Sequence, residues 1–208
     1  MKLRPSSSPL AFPQNEHTPD GTLNEMASII SRYTEQAGSL VEDLLKLAES
    51  GQVPTEIEVV DVGAVVRAVL DGLLTEIAER NARIVLSDDL GHIVGNATQI
   101  KQVFSNLIGN AVTHCDAPRP VIQVARLGGE DDSHRYVIRD NGGGIPEEDL
   151  QDIFKLFHKG TGGGAGIGLA TVQKIVNVYG GSVDAYNDNG ACFEFTLRDV
   201  SRTAPAAT

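Results

Sequence analysis

The chain has 208 residues, 41% of them hydrophobic, and a formal charge of −11 from 17 basic against 28 acidic residues. That length fits one main domain with an appendage and can bury a real core. The acid excess speaks against unassisted nucleic-acid binding and against docking on anionic lipid, both of which need a basic footprint. Cys115 and Cys192 show neither metal-ligand spacing nor a disulfide framework, which fits a reducing compartment. With no apolar run long enough for a membrane span or a secretion signal, a cytoplasmic segment without membrane or nucleic-acid contact is expected.

Residues 1–20 are rich in Ser and Pro and read as a flexible tail. Residues 21–54 read as one helix. Leu23, Met26, Ile30, Tyr33, Ala37, Leu40, Leu44 and Leu47 recur in steps of three and four, the seam of a helix that packs on another helix. Ser50-Gly51 and Pro54 stop it. A lone helix cannot bury this stripe, so a bundle or a homodimer through residues 23–47 is expected.

From there the pattern alternates. Val62 to Glu79 reads as one amphipathic helix carrying Val65, Val66, Val69, Leu73 and Ile77. Ala82 to Leu86 reads as a strand. Asn96 caps a helix running to about Thr113. Val121 to Arg126 and Arg135 to Arg139 read as strands around a polar turn. Pro146, followed by three acidic residues, reads as the start of a short helix. Gly166 to Tyr179 is expected to be helical. Ser182 to Tyr186 and Cys192 to Leu197 form a closing strand pair around Asn187-Asp188-Asn189-Gly190. Residues 200–208 read as a disordered tail.

Three stretches carry chemistry. In the helix after Asn96, Asn106 and Asn110 are four apart and share one edge beside the apolar face. A carboxamide oxygen is a hard ligand suited to Mg²⁺. Asp140 ends a strand and precedes Gly142, Gly143 and Gly144, so its carboxylate can accept from an exocyclic amine such as that of adenine. The glycines let the backbone come close to a ring. Gly160 to Gly168 forms a glycine loop entering a helix, where backbone N–H groups and the dipole can hold phosphates. No P-loop sequence is present, and the loose dinucleotide match at Gly160 to Ala165 follows no clear strand.

Asn106-x-x-x-Asn110, Asp140-x-Gly142-x-Gly144 and Gly164-x-Gly166-x-Gly168 resemble the asparagine box and two glycine boxes of the GHKL ATPases. That superfamily holds sensor histidine kinases, gyrase, Hsp90 chaperones and mismatch-repair proteins. Ile153-Phe154-Lys155-Leu156-Phe157 resembles the phenylalanine box of histidine kinases, and Gly166 to Gly181 is similar to phytochrome-like and hybrid sensor kinases. The resemblance covers residues 55–199. It implies a two-layer α/β sandwich with a mixed, mostly antiparallel sheet covered by helices, preceded by the second helix of a dimerisation hairpin.

It also implies MgATP binding. Asn110 would coordinate Mg²⁺, Asp140 would take the adenine amino group, and Gly142 and Gly144 would shape the base pocket. Gly166 and Gly168 would contact the phosphates, and Gly164, Ile145, Phe157, Ile167 and Leu169 would complete the nucleotide site. Asn106 stands where hydrolysing members carry a glutamate base, which favours phosphoryl transfer over fast hydrolysis. Asn106 and Asn110 are therefore the implied catalytic pair.

Several positions depart from the family pattern. Thr113 replaces a phosphate-facing cation, and Lys159 is the candidate substitute. His114 takes an aromatic position that could stack on adenine. Ala191 replaces a threonine that supports the adenine aspartate. The phosphoacceptor histidine is not evident among His17, His92, His114, His134 and His158. The expected activity is that of a two-component histidine kinase acting on a histidine outside this chain, with a response regulator or phosphotransfer protein as partner. A degenerate interaction module and a serine kinase of the anti-sigma-factor type stay open as alternatives.

Overall fold

The computed structural model describes residues 20–129, 132–158 and 166–200. Residues 1–19 and 201–208 of the expected tails, His17 among them, and the stretch holding Lys159 and Gly164 lie outside the described residues. The chain divides into two units at Leu40–Val41. The first contains most of helix α1 (Asp20–Ser50). Met26, Ile30 and Tyr33 of its stripe are 57, 66 and 62% exposed.

The second unit is built on a five-stranded sheet in the order β2 (Arg83–Leu86), β4 (Val121–Gly128), β5 (Ser133–Arg139), β7 (Ala191–Arg198), β6 (Val183–Asn187). The β2–β4 pair is parallel and the other three are antiparallel. Helices α2 (Val62–Gly72), α4 (Ala97–His114) and α5 (Gly168–Val178) supply the apolar layer packed against it. The sandwich is the mixed, mostly antiparallel two-layer arrangement expected from the sequence. Phe104 of α4 sits at its centre, edge-on to Tyr136 and Phe195 with ring centroids 5.4 Å away in each case. Burial of the Tyr136 ring pushes its phenol above the ordinary range, and its hydroxyl donates to Leu90 O at 2.9 Å.

The starts of α2 and α4 follow the capping rules. Asn96 Oδ1 accepts from Gln99 N at 3.1 Å, as its position before α4 predicts. Asp61 caps α2 in the same way, accepting from Ala64 N at 3.0 Å. That bond, helped by Arg67, holds the Asp61 carboxyl below its ordinary value. Its contribution is present above the ordinary carboxylate range and fades as pH falls through the lowered value. The last turn of α1 has no basic residue of its own. Lys174 of α5 donates to Leu47 O there at 3.0 Å, bringing a cation to the negative end of the helix.

The structure corrects three readings. The single helix from Val62 to Glu79 breaks at Leu73 into α2 and α3 (Leu74–Glu79). Gly72 disfavours continuation, and Leu73 (φ −110°, ψ 12°) leaves the helical region. The segment from Pro146 is a run of turns rather than a helix. Asp149, Asp152 and Lys155 each bond back three residues, at 2.8–2.9 Å, while Ile153 turns into the core. Two strands were not foreseen, β1 (Glu58–Asp61) and β3 (His92–Gly95), which pair antiparallel. Their sequences, Glu58-Val59-Val60-Asp61 and His92-Ile93-Val94-Gly95, place two apolar residues side by side and show no alternation.

Candidate nucleotide-binding site

Asp140 follows directly on β5, an interior strand, and is held there by its N–H bond to Ala191 O at 3.0 Å. Its side chain is buried. Oδ1 accepts from Gly142 N at 2.8 Å and from Ala191 N at 3.2 Å. Among the described residues nothing donates to Oδ2. Support that a threonine side chain would give therefore comes from the main chain of Ala191.

The glycine turn after Asp140 is clasped from three sides. Gly142 N goes to Asp140, Gly143 N goes to Asp116 Oδ1 at 2.6 Å, and Ile145 N goes to Asn187 Oδ1 at 2.8 Å. Asn187 also donates to Ile145 O at 2.7 Å. Gly144 has φ +85°, and a methyl group there would lie 2.6 Å from Asn187 Oδ1. Asn141 ties the turn to the neighbouring loop, accepting from Val121 N at 2.7 Å and donating to Arg119 O at 3.2 Å. A phosphate-binding turn offers free N–H groups to an anion. Here those of Gly142, Gly143 and Ile145 are committed to side-chain oxygens, and two carboxylates stand beside them. The turn suits a neutral base that presents donors to Asp140.

The second half of the site is built for the opposite charge. Asn106 Nδ2 donates to Gly168 O at 3.1 Å, joining α4 to the first residue of α5. Gly168 leaves 3.4 Å between Asn106 Oδ1 and the place a Cβ would take. Among the described residues no side chain caps α5, which leaves its first N–H groups to suit an anion. Asn110 is half-buried, and its side chain makes no hydrogen bond to a described residue. Ile167 is buried, while Ile145 and Leu169 are half-buried. Phe157 (φ +63°) donates its N–H to Gly166 O at 2.9 Å, bringing the phenylalanine segment to the entry of α5. Gly166 has φ +67°, and a methyl group there would fall 2.4 Å from His158 O. His114 is exposed in the last turn of α4, and its imidazole makes no hydrogen bond to a described residue. Among the described residues no three His, Cys, Asp or Glu side chains converge on a metal position. The donor set fits a Mg²⁺ held mostly by phosphates and by one amide oxygen, that of Asn110.

Sequence reasoning missed Asp116, the side chain of Asn141 and Asn187. Asn187 was visible only as part of an Asn-Asp-Asn-Gly turn.

A sandwich with an asparagine-bearing helix, an aspartate–glycine turn and an uncapped glycine-led helix defines a nucleotide-binding class, and sequence comparison assigns it. Residues 95–201 match the family described as histidine kinase-, DNA gyrase B- and HSP90-like ATPases. The chain belongs to that family. Its relatives include phytochromes and sensor histidine kinases. It is 31% identical over 188 residues to cyanobacterial phytochrome B of Nostoc sp., covering 87% of this chain and 25% of that protein. It is 32% identical over 187 residues to the sensor histidine kinase ZraS of Klebsiella oxytoca, covering 88% and 40%. The catalytic domain of the histidine kinase ThkA superposes with a TM-score of 0.62 at 26% identity, covering 70% of this chain and 97% of that one. The chain thus spans less than half the length of these curated relatives.

Proposed function

We propose that this chain is the ATP-binding catalytic domain of a two-component histidine kinase, which transfers the γ-phosphoryl group of MgATP to a histidine not evident in this chain. The observation that carries this reading is the division of the site. On one side is a buried carboxylate whose Oδ2 has no donor among the described residues, beside a turn in which the N–H groups of Gly142, Gly143 and Ile145 are committed. On the other is an uncapped helix start joined to an asparagine pair. Adenine fits the first and a polyphosphate fits the second. ShkA, a neighbour of the same fold, is known in complex with AMPPNP.

Asp140 would accept the adenine amino group at Oδ2. Ile145, Ile167 and Leu169 would keep water from the base. Gly166 and Gly168 would give the phosphates close access to α5, with Phe157 beside Gly166; by the family resemblance Lys159 and Gly164 would serve the phosphates and His114 would stack on the base. A Mg²⁺ at Asn110 would neutralise phosphate charge. Asn106 would position the phosphates without taking a proton from water, since an amide is no base at neutral pH. This favours transfer over hydrolysis. The chain's own contribution is positioning and charge compensation.

A response regulator or phosphotransfer protein is the proposed downstream partner. ThkA is known in complex with the response regulator TrrA. A cytoplasmic location is part of the same reading, and no helix among the described residues is long and apolar enough to cross a membrane. We further place residues 21–54 as a dimerisation helix and residues 55–199 as the catalytic domain. The exposed Met26, Ile30 and Tyr33 support homodimerisation through residues 23–47. Met26→Glu with Ile30→Glu should then give a monomer by sedimentation velocity where the parent sediments as a dimer. Equal sedimentation would remove this helix from the interface.

Titration calorimetry with MgATP should give saturable binding. Asn110→Ala should weaken it by about tenfold with Mg²⁺ present and leave binding in EDTA unchanged. Radiolabelled MgATP with the hairpin helices of a sensor histidine kinase should leave acid-labile, alkali-stable label on the hairpin. Acid-stable label on a partner serine would favour the serine-kinase alternative. Absence of nucleotide binding would favour the interaction module.

A further inference from the structure

Asn187 lies at the end of β6, 42 residues from Ile145, yet its carboxamide takes both main-chain groups of that residue, N–H at 2.8 Å and C=O at 2.7 Å. A side-chain amide paired in this way with one residue's main chain mimics a strand partner and fixes the local φ and ψ. The fixed stretch is the one in which Gly144 turns left-handed, and Gly144 has no room for a methyl group because Asn187 Oδ1 would be 2.6 Å from it. Asn187 and Gly144 are therefore complementary, the glycine leaving the space that the amide fills. Asn187 itself is exposed, so its amide sacrifices hydration to hold an exposed turn, and core packing gives no reason for it to do so.

We propose that Asn187 is a positioning residue for the base end of the nucleotide site. By clasping Ile145 it presents the turn, and with it Ile145 and the Asp140 carboxylate, in the geometry a purine requires. This rests on the nucleotide reading above and deepens it. The clasp acts on the base end alone, because the phosphate end is built from α4 and α5, which Asn187 does not touch by any hydrogen bond among the described residues. Asp116 holds the same turn two residues earlier, at Gly143.

The test is a set of titrations with three probes: MgATP, adenosine and magnesium tripolyphosphate. Asn187→Ala should weaken MgATP and adenosine by about the same factor, roughly tenfold, and leave tripolyphosphate unchanged. Its thermal midpoint should stay close to the parent's, because the freed groups of Ile145 meet water. Gly144→Ala should show the same binding pattern, with a lower thermal midpoint because its φ of +85° strains an alanine. Because both changes break one clasp, the double variant should be no weaker than the poorer single one, whereas independent effects would multiply to about a hundredfold. Asn187→Ala binding MgATP as the parent does, or losing tripolyphosphate equally, would overturn the proposal while leaving the nucleotide reading intact. A parent chain that binds neither MgATP nor adenosine would overturn the nucleotide reading and the clasp's role with it.

Discussion

Asp140→Asn should fold like the parent and fail to bind MgATP, whereas Asp140→Ala should lose both binding and stability. The two oxygens of Asp140 have different duties. Oδ1 holds the protein together, accepting from Gly142 N and Ala191 N. Oδ2 is left for a ligand. Asparagine keeps an oxygen for the first duty and substitutes an NH₂ group at the second, so a donor would face the donor of the adenine amino group. Alanine leaves two N–H groups without their acceptor, a loss of about 2 kcal/mol in unfolding free energy. Both variants should bind MgATP more than about a hundredfold more weakly, the equivalent of roughly 3 kcal/mol, because the lost bond is to a buried charge. Calorimetric titration and urea unfolding on the same samples separate the two effects. The parent should also prefer ATP to GTP, whose ring presents an acceptor at that place, and Asp140→Asn should erase the preference. Equal binding by Asp140→Asn and parent would show that Oδ2 does not read the base.

The sequence displays the parts of the site whose constraint is local. Asn106 and Asn110 are legible because four residues make a helical repeat and the apolar face beside them is continuous. The cap at Asn96 is legible because capping needs only the next three residues. Gly142, Gly144, Gly166 and Gly168 announce close approach through spacing alone. What the sequence conceals depends on the third dimension. Asn187 reaches Ile145 across 42 residues, Asp116 reaches Gly143 across 27, and either residue is an ordinary polar loop position when read in line. Ala191 reads as a missing threonine until its N–H is seen on Asp140. The run after Pro146 shows the reverse failure. Its local signals favour a helix, but burial of Ile153 and the edge-on contact of Phe154 with Phe193, at 6.4 Å, fit a chain of turns instead. Tertiary packing outweighs propensities of a few tenths of a kcal/mol per residue.

Gly190→Ala should destabilise the domain by about 3 kcal/mol and weaken MgATP binding in the fraction that remains folded, although residue 190 touches no expected ligand. Gly190 has φ +142°, and a methyl group on it would lie 2.1 Å from Asp140 O and 2.7 Å from Asp140 C. Both obstacles are main chain, so no side chain can swing aside. Either Gly190 changes its φ and drags the start of β7, or the end of β5 moves away. Each route shifts Ala191 relative to Asp140, and that pair of strand ends carries the bonds that set the carboxylate. The cost combines a disfavoured backbone conformation with a hard contact, each of about 1–2 kcal/mol. Gly180→Ala is the matched control. Gly180 also has positive φ, at +63°, but a methyl group there meets only Arg198 Cδ at 3.6 Å, an ordinary contact. It should cost about 1 kcal/mol and leave MgATP binding unchanged. Urea midpoints for the two variants, read alongside their MgATP affinities, distinguish strain in a turn from strain delivered to the site. If Gly190→Ala loses stability but the surviving fold binds MgATP as the parent does, then the β5–β7 junction does not set the position of Asp140, and its support must come from the glycine turn alone.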